Sequence, residues 1–123
     1  MKFCWTTINV RDLDKSRAFY QDILELEVKR TMKPDPDMEI SFLGNGETQV
    51  ELICHAGNTD IAYGKDISLG FVVDSIDDFT KMISTKGIPV HSGPFQPNPF
   101  IKFIYIQDPD GLKIQLVENL KPA

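Results

Sequence analysis

The stretch "INVRDL", residues 8–13, has the same pattern as "FVVDSI", residues 71–76, which begins 63 positions later (71 − 8). A second pair supports the first, because "QVELI" at 49–53 matches "KIQLV" at 113–117 with an offset of 64 (113 − 49). A recurrence at nearly constant offset over half a chain is the signature of a duplicated structural module. The sequence therefore predicts that the second half of the chain repeats the fold of the first.

Each half shows one helix among four strands. In the first half, alternation over 2–10 predicts a strand, and Asp12 is a suitable N-cap for the helix that follows. Asn45-Gly46 predicts a two-residue hairpin turn between the last two strands. In the second half, Ser75 and Gly87 bracket a helix as N-cap and C-cap. The remaining predicted strands are 27–33, 38–44, 48–54, 67–74, 88–95, 99–107 and 112–118.

This order predicts an α+β fold of one domain over residues 1–123, built from two βαβββ modules. Module one spans 1–55, a polar linker spans 56–65, and module two spans 66–119. We expect the helices outside and the sheets around a shared, open cup, because a four-stranded sheet with one helix buries little surface by itself.

Composition excludes several classes of protein. The net charge of −5 and the absence of a basic run argue against nucleic-acid binding. No apolar run is long enough to cross a membrane, and the first residues do not resemble a secretion signal. Cys4 and Cys54 fit no metal or redox spacing. We therefore expect reduced cysteines in the core of a cytoplasmic protein.

Two segments carry a resemblance to a known family. "NVRDLDKSRAFYQDIL" at 9–24 and "IYIQDPDGLKIQLVE" at 104–118 resemble the corresponding segments of the vicinal oxygen chelate superfamily. This superfamily includes glyoxalase I, extradiol dioxygenases and bleomycin-resistance proteins. The resemblance implies the two-module fold, and it leaves the activity open because this scaffold hosts many chemistries.

The resemblance also implies where a metal ion would bind. In metal-dependent members each module offers two ligands, and those positions fall on Trp5 and Glu51 in module one and on Ser68 and Gln115 in module two. The family pattern has His or Glu at three of these positions, and only Glu51 keeps it. An indole N–H cannot coordinate a metal, and a catalytic zinc site needs three good protein ligands. We therefore expect no metal and no cofactor, although a rebuilt site using Glu51 and His55 stays open as an alternative.

The positions that hold glutathione in glyoxalase I resemble Asn9 and His55 here, so the cation of the first strand is missing. Aromatic walls with a few polar groups are typical of small-molecule sites, and the odd-numbered strand faces supply both. We expect Trp5 to be buried as the floor of the cup, where it either stacks on a ligand or fills space with its N–H bonded to Glu51 or Gln115. The predicted ligand-binding residues are Trp5, Thr7, Asn9, His55, Ser68, Phe103, Tyr105, Lys113 and Gln115, and Glu51 is the candidate general base.

Three functional hypotheses follow. The first is a metal-free protein that binds a small molecule, with aromatic and polycyclic compounds favoured, as bleomycin-resistance proteins do. The second is a glyoxalase-like lyase or isomerase with a remodelled site. The third is a structural or regulatory domain whose cup is closed. In each case we expect a homodimer, because the open edges of the sheets need covering.

Overall fold

The computed structural model describes residues 1–46 and 48–121. The chain divides into two compact units, Met1–Ala62 and Tyr63–Ala123. Each unit contains one four-stranded mixed sheet that does not close into a barrel, and each follows the βαβββ order. The predicted α+β fold and the internal repeat are therefore confirmed. None of the described helices combines the length and the apolar character needed to cross a bilayer.

The elements of the first unit are β1 (Trp5–Asn9), α1 (Leu13–Ala18), β2 (Val28–Asp35), β3 (Met38–Leu43) and β4 (Gln49–His55). The sheet order is β1-β4-β3-β2, with β1 parallel to β4 and the other neighbours antiparallel. Helix α1 runs directly into a π-helical segment at Phe19–Ile23.

The core of this unit lies between the helical segment and one face of the sheet. Tyr20 and Leu52 are fully buried, and Phe19 is buried with them. The Asp12 carboxylate accepts a hydrogen bond from the backbone N–H of Lys15 at 3.1 Å, so the predicted N-cap is confirmed. The helix therefore covers one face of the sheet, and the opposite face keeps its polar and aromatic side chains.

The second unit repeats the arrangement, with β5 (Ser68–Val72), α2 (Ile76–Thr85), β6 (Ser92–Asn98), β7 (Ile101–Gln107) and β8 (Lys113–Asn119). Its sheet order is β5-β8-β7-β6, again with a single parallel pair, β5 with β8. The Ser75 hydroxyl caps α2 by accepting from the N–H of Asp78, and the Glu118 carboxylate accepts from the N–H of Ile76 at 2.7 Å. Gly87 has φ +73° just after the helix, as the predicted C-cap requires.

The hairpin prediction at Asn45-Gly46 is wrong. Pairing between β3 and β4 ends at Leu43 and Val50, so the connection is longer than two residues. The Asn45 side chain donates to the carbonyl of Glu25 at 2.8 Å and accepts from the N–H of Glu27 at 3.0 Å. Asn45 therefore ties the connection to the segment that follows the helix instead of forming a tight turn.

Two further expectations are corrected. Cys4 is exposed and Cys54 is half-buried, so neither thiol is packed in the core. Cys4 precedes β1, and Cys54 lies near the end of β4. Strand β6 begins at Ser92 rather than at residue 88 and continues to Asn98. Its register with β7 shifts twice, an irregularity that alternation in the sequence does not predict.

Candidate functional site

The helix-free face of the first sheet is centred on Glu51. Thr7 on β1 and Phe42 on β3 are both directly opposite Glu51 on β4. The Thr7 hydroxyl donates a hydrogen bond to Oε1 of Glu51 at 2.6 Å, and Glu51 is only 9% exposed. A short bond from a neutral donor to a carboxylate is one of the stronger hydrogen bonds in proteins. The structure therefore brings together the candidate base Glu51 and the predicted ligand-binding residue Thr7.

Trp5 lies beside this row and packs on Phe42. The two rings meet edge to face, with centroids 5.2 Å apart, and the Arg30 guanidinium lies 4.2 Å from the centroid of Phe42. Such edge-to-face and cation–π contacts follow the charge distribution of aromatic rings. Trp5, Phe42 and Arg30 thus form a connected group on the same face as Glu51.

The expectation that Trp5 is buried is wrong, because this residue is 43% exposed. Trp5 is the first residue of β1, and β1 is the edge strand of its sheet, so a strand neighbours it on one side only. Within residues 1–46 and 48–121 its indole N–H has no hydrogen-bond partner, and Glu51 is bonded to Thr7 instead.

Asn9 and His55 lie toward the other end of the same sheet. Asn9 pairs in register with Ile53, and His55 pairs with Met38 at the end of β4; both Asn9 and His55 are exposed. Thr7 and Ile53 separate them from Glu51 along the strands. These two predicted residues are therefore on the expected sheet, at a distance from Glu51 along the strands.

The helix-free face of the second sheet carries an aromatic cluster, formed by Phe95, Phe103 and Tyr105. Ring centroids are 5.4 Å apart for Phe95–Phe103, 5.8 Å for Phe103–Tyr105 and 6.4 Å for Phe95–Tyr105. Phe95 is 43% exposed and the other two rings are half-buried. The cluster therefore presents an accessible aromatic surface that includes the predicted ligand-binding residues Phe103 and Tyr105.

The other predicted residues of this unit lie next to the cluster. Gln115 pairs in register with both Tyr105 and Gly70, and Ser68 pairs with Lys113. A Cβ atom built on Gly70 would lie 3.6 Å from Oε1 of Gln115, so the amide extends over the glycine. The Lys113 ammonium lies 5.8 Å from the centroid of Tyr105. These residues therefore form one mixed polar and aromatic face.

A cavity of about 360 Å³ opens at the end of this face. It adjoins the start of β5, the end of β7 and the start of β8. Its lining residues are Tyr63, Gly64, Lys65, Ile67, His91, Gln107, Gly111 and Lys113.

The sequence patterns did not indicate that Arg30, Phe42 and Phe95 belong to the candidate site. Phe42 could have been found from the register of β3 with β4, because it is the residue opposite Glu51. A two-residue hairpin at Asn45-Gly46 would shift the register of β3 against β4 and place a different residue opposite Glu51. Phe95 follows a register shift in β6, and no alternation pattern in the sequence marks its position.

Comparison with known proteins identifies the family. The model of the Glyoxalase/Bleomycin resistance protein/Dioxygenase superfamily matches residues 2–116. This chain belongs to that superfamily. The chain is 30% identical over 129 residues to a lactoylglutathione lyase of Haemophilus influenzae, covering 97% of this chain and 93% of the relative. It is 32% identical over 123 residues to a probable lactoylglutathione lyase of Synechocystis, covering 93% and 92%.

Solved structures of the superfamily share the fold. The trypanothione-dependent glyoxalase I of Leishmania major has a TM-score of 0.83 at 25% identity, covering 96% of this chain and 86% of that chain. A glyoxalase family protein of Bacillus cereus has a TM-score of 0.85 at 18% identity, covering 98% and 95%. The second likeness shows the fold alone, because the identity is low.

The donor set of this superfamily member does not fit a divalent metal ion. Of the four positions that the family resemblance assigns to ligands, Trp5 cannot coordinate, Ser68 and Gln115 are weak neutral groups, and Glu51 alone is a strong ligand. Among the residues that the structure describes, no three His, Cys, Asp or Glu side chains are grouped so that they could hold a metal. The rebuilt site from Glu51 and His55 would still need a third ligand.

Proposed function

We propose that this chain is a metal-free member of the superfamily that binds a small molecule. The observation that carries the proposal is the donor set, in which Glu51 is the one strong ligand left at the four family positions. A single carboxylate cannot supply the three protein ligands of a catalytic zinc site. The protein therefore keeps the fold of the superfamily but lacks the set of protein ligands that metal-dependent chemistry requires.

The helix-free faces support a binding role. One face offers Trp5, 43% exposed, and the other offers the cluster of Phe95, Phe103 and Tyr105. Partly exposed aromatic side chains beside a few polar groups are typical of small-molecule sites. We propose that the ligand contains a planar ring, because stacked or edge-on aromatic contacts favour such molecules.

The test combines metal analysis with an activity assay and a ligand screen. The purified protein, incubated with Zn, Ni, Co, Mn or Fe and then desalted, is expected to contain far less than one ion per chain. It is expected to show no lactoylglutathione lyase activity with any of these metals. Native mass spectrometry of the freshly purified protein is expected to show a bound small molecule. Stoichiometric metal that disappears in Glu51→Ala would overturn the proposal.

A second candidate is a glyoxalase-like lyase or isomerase, which is favoured by the buried Glu51 with its Thr7 partner. A carboxylate in a water-poor site can act as a general base if a substrate proton lies within hydrogen-bond reach. The relatives named lactoylglutathione lyase are consistent with this candidate. Metal-independent turnover that is lost in Glu51→Gln would favour it over the binding role.

We further propose that the protein is a cytoplasmic homodimer. Large apolar side chains are exposed at Phe3, Val72 and Phe100, at 67%, 70% and 63%. Strands β1 and β5 are at the edges of their sheets, and edge strands in natural proteins are usually covered. Both observations support association with a second copy.

A further inference from the structure

The charged side chains that line the cavity of the second unit are the lysines Lys65 and Lys113. His91 adds an imidazole ring, and no Asp or Glu among residues 1–46 and 48–121 lines the cavity. The whole chain carries a net charge of −5, so a cavity without acidic side chains is a departure from the average surface. Asp66 follows Lys65 in sequence but does not line the cavity. The lining therefore favours an anion.

Among residues 1–46 and 48–121, neither lysine is neutralised by a carboxylate, because neither Lys65 nor Lys113 takes part in an ion pair there. His91 has its Nδ1 atom 3.3 Å from the Ser92 hydroxyl. The two ammonium groups thus keep their donors available to a ligand.

Lys113 links the cavity to the aromatic cluster. Its ammonium lies 5.8 Å from the Tyr105 ring, close to the outer limit for a cation–π contact, so this contact leaves room for a stronger partner. Tyr105 in turn packs against Phe103 and Phe95. An aromatic surface and a cationic cavity are therefore joined at Lys113.

We infer that the second unit binds an aromatic acid, with the ring on Phe95, Phe103 and Tyr105 and the carboxylate or phosphate at Lys65, Lys113 and His91. This inference rests on the proposed function and names the class of its ligand. The volume of about 360 Å³ is near the lower end of the range for small-molecule sites. None of Phe95, Phe103 and Tyr105 lines the cavity, so the cavity takes the acid group and the ring lies beside it.

The test uses four probes: benzoate, phenyl phosphate, the neutral isostere benzamide and inorganic phosphate. Binding is followed by NMR of the two histidine side chains, because His91 lines the cavity and His55 is on the other unit. We expect benzoate or phenyl phosphate to shift the His91 signal. At the same concentrations benzamide is expected to leave the His91 signal unchanged, and the His55 signal is expected to stay constant with every probe. The acid that binds more tightly shows whether the site prefers a carboxylate or a phosphate. Inorganic phosphate is expected to bind more weakly than phenyl phosphate.

The variant K65Q/K113Q removes both charges and keeps side chains of similar length. It is expected to weaken binding of the preferred acid by about tenfold or more, an effect that shrinks in high salt because exposed charges are screened. K81Q is the control, since Lys81 is exposed on α2 and does not line the cavity. Equal thermal midpoints show that the variants fold.

Four results would overturn the inference. If benzamide binds as tightly as benzoate, or if K65Q/K113Q binds the acids unchanged, the cationic cavity does not select the ligand and the proposed function stands alone. If only the His55 signal moves, the ligand binds on the first unit. If neither the charged nor the neutral aromatic probes bind, and native mass spectrometry also finds no small molecule, the proposed function fails as well.

Discussion

Thr7 and Glu51 are directly opposite each other on the parallel strands β1 and β4, and the Thr7 hydroxyl donates to the Glu51 carboxylate at 2.6 Å. This bond gives a buried acid a partner within its own sheet. A buried charge without a partner is costly, so the bond stabilises Glu51 in its buried position. The same pair is therefore relevant to stability and to the proposed absence of metal chemistry.

The first prediction concerns removal of the Thr7 hydroxyl, which is the hydrogen-bond donor to Glu51. Thr7→Val is expected to lower the free energy of unfolding by about 1–3 kcal/mol, the range for losing a hydrogen bond to a charged group. Urea denaturation measures the change. Thr6→Val is the matched control, because Thr6 is on the opposite face of the same strand and is expected to change stability little. Equal effects of the two substitutions would show that the bond contributes nothing measurable.

A second prediction compares two buried serines. Ser16 and Ser41 are both fully buried, but the Ser16 hydroxyl has no hydrogen-bond partner in the described structure. The Ser41 hydroxyl accepts from Arg17 at 2.9 Å and lies 3.2 Å from the Thr31 hydroxyl. Ser16→Ala is expected to be neutral or to stabilise by about 0.5–1 kcal/mol, because alanine also favours the helix.

Ser41→Ala is expected to destabilise by about 1–3 kcal/mol, since it leaves the Arg17 donor without its acceptor. Thermal and urea unfolding of the two variants provide the comparison. If Ser16→Ala costs as much as Ser41→Ala, then Ser16 has a partner in solution.

The third prediction concerns Asp108 in the "DPDG" turn. This carboxylate is 5% exposed and accepts from the backbone N–H groups of Asp110 and Leu112, both at 2.9 Å. Asp108→Ala is expected to destabilise by about 2–4 kcal/mol, because it leaves two backbone donors of the turn unsatisfied. Asp66→Ala is the exposed control, and a loss of similar size there would indicate a general charge effect.

The sequence predicted the repeat and the ends of its helices well because these are local signals. Asp12, Ser75 and Gly87 act on backbone groups a few residues away, so a short window of sequence is enough to find them. The burial of Tyr20 and Ile83 likewise follows from helical spacing.

The predictions that failed depend on partners distant in sequence. Asn45 has turn chemistry, but its side chain bonds to the backbone of Glu25 and Glu27, about 20 residues earlier. These side-chain bonds go with a longer connection between β3 and β4, and the register of the two strands then places Phe42 opposite Glu51. The packing of Trp5 and Arg30 on Phe42 could not be predicted without this register.

The fourth prediction concerns Trp5, the single tryptophan of the chain. Because Trp5 is 43% exposed and contacts Phe42 at its edge, its fluorescence is expected to lie between the emission of a buried indole and that of an indole in water. Trp5→Ala is expected to destabilise the protein by less than the roughly 3–5 kcal/mol typical of a fully buried tryptophan. Fluorescence spectra and urea denaturation test these two expectations.

If Trp5 is part of the binding surface, a planar ligand changes its emission, and Trp5→Ala weakens that ligand by about 1–3 kcal/mol, the scale of stacking on an aromatic side chain. Trp5→Phe keeps a ring at the position and is expected to recover part of the affinity lost in Trp5→Ala. If Trp5 only packs on Phe42, the affinity for the ligand is unchanged in Trp5→Ala and in Trp5→Phe. Phe3→Ala is the control, because Phe3 is 67% exposed and precedes β1, so it tests whether any exposed aromatic at this edge has the same effect. Affinity that falls equally in Phe3→Ala and Trp5→Ala would assign the effect to general hydrophobic contact. Affinity that falls in Trp5→Ala alone would assign it to the indole.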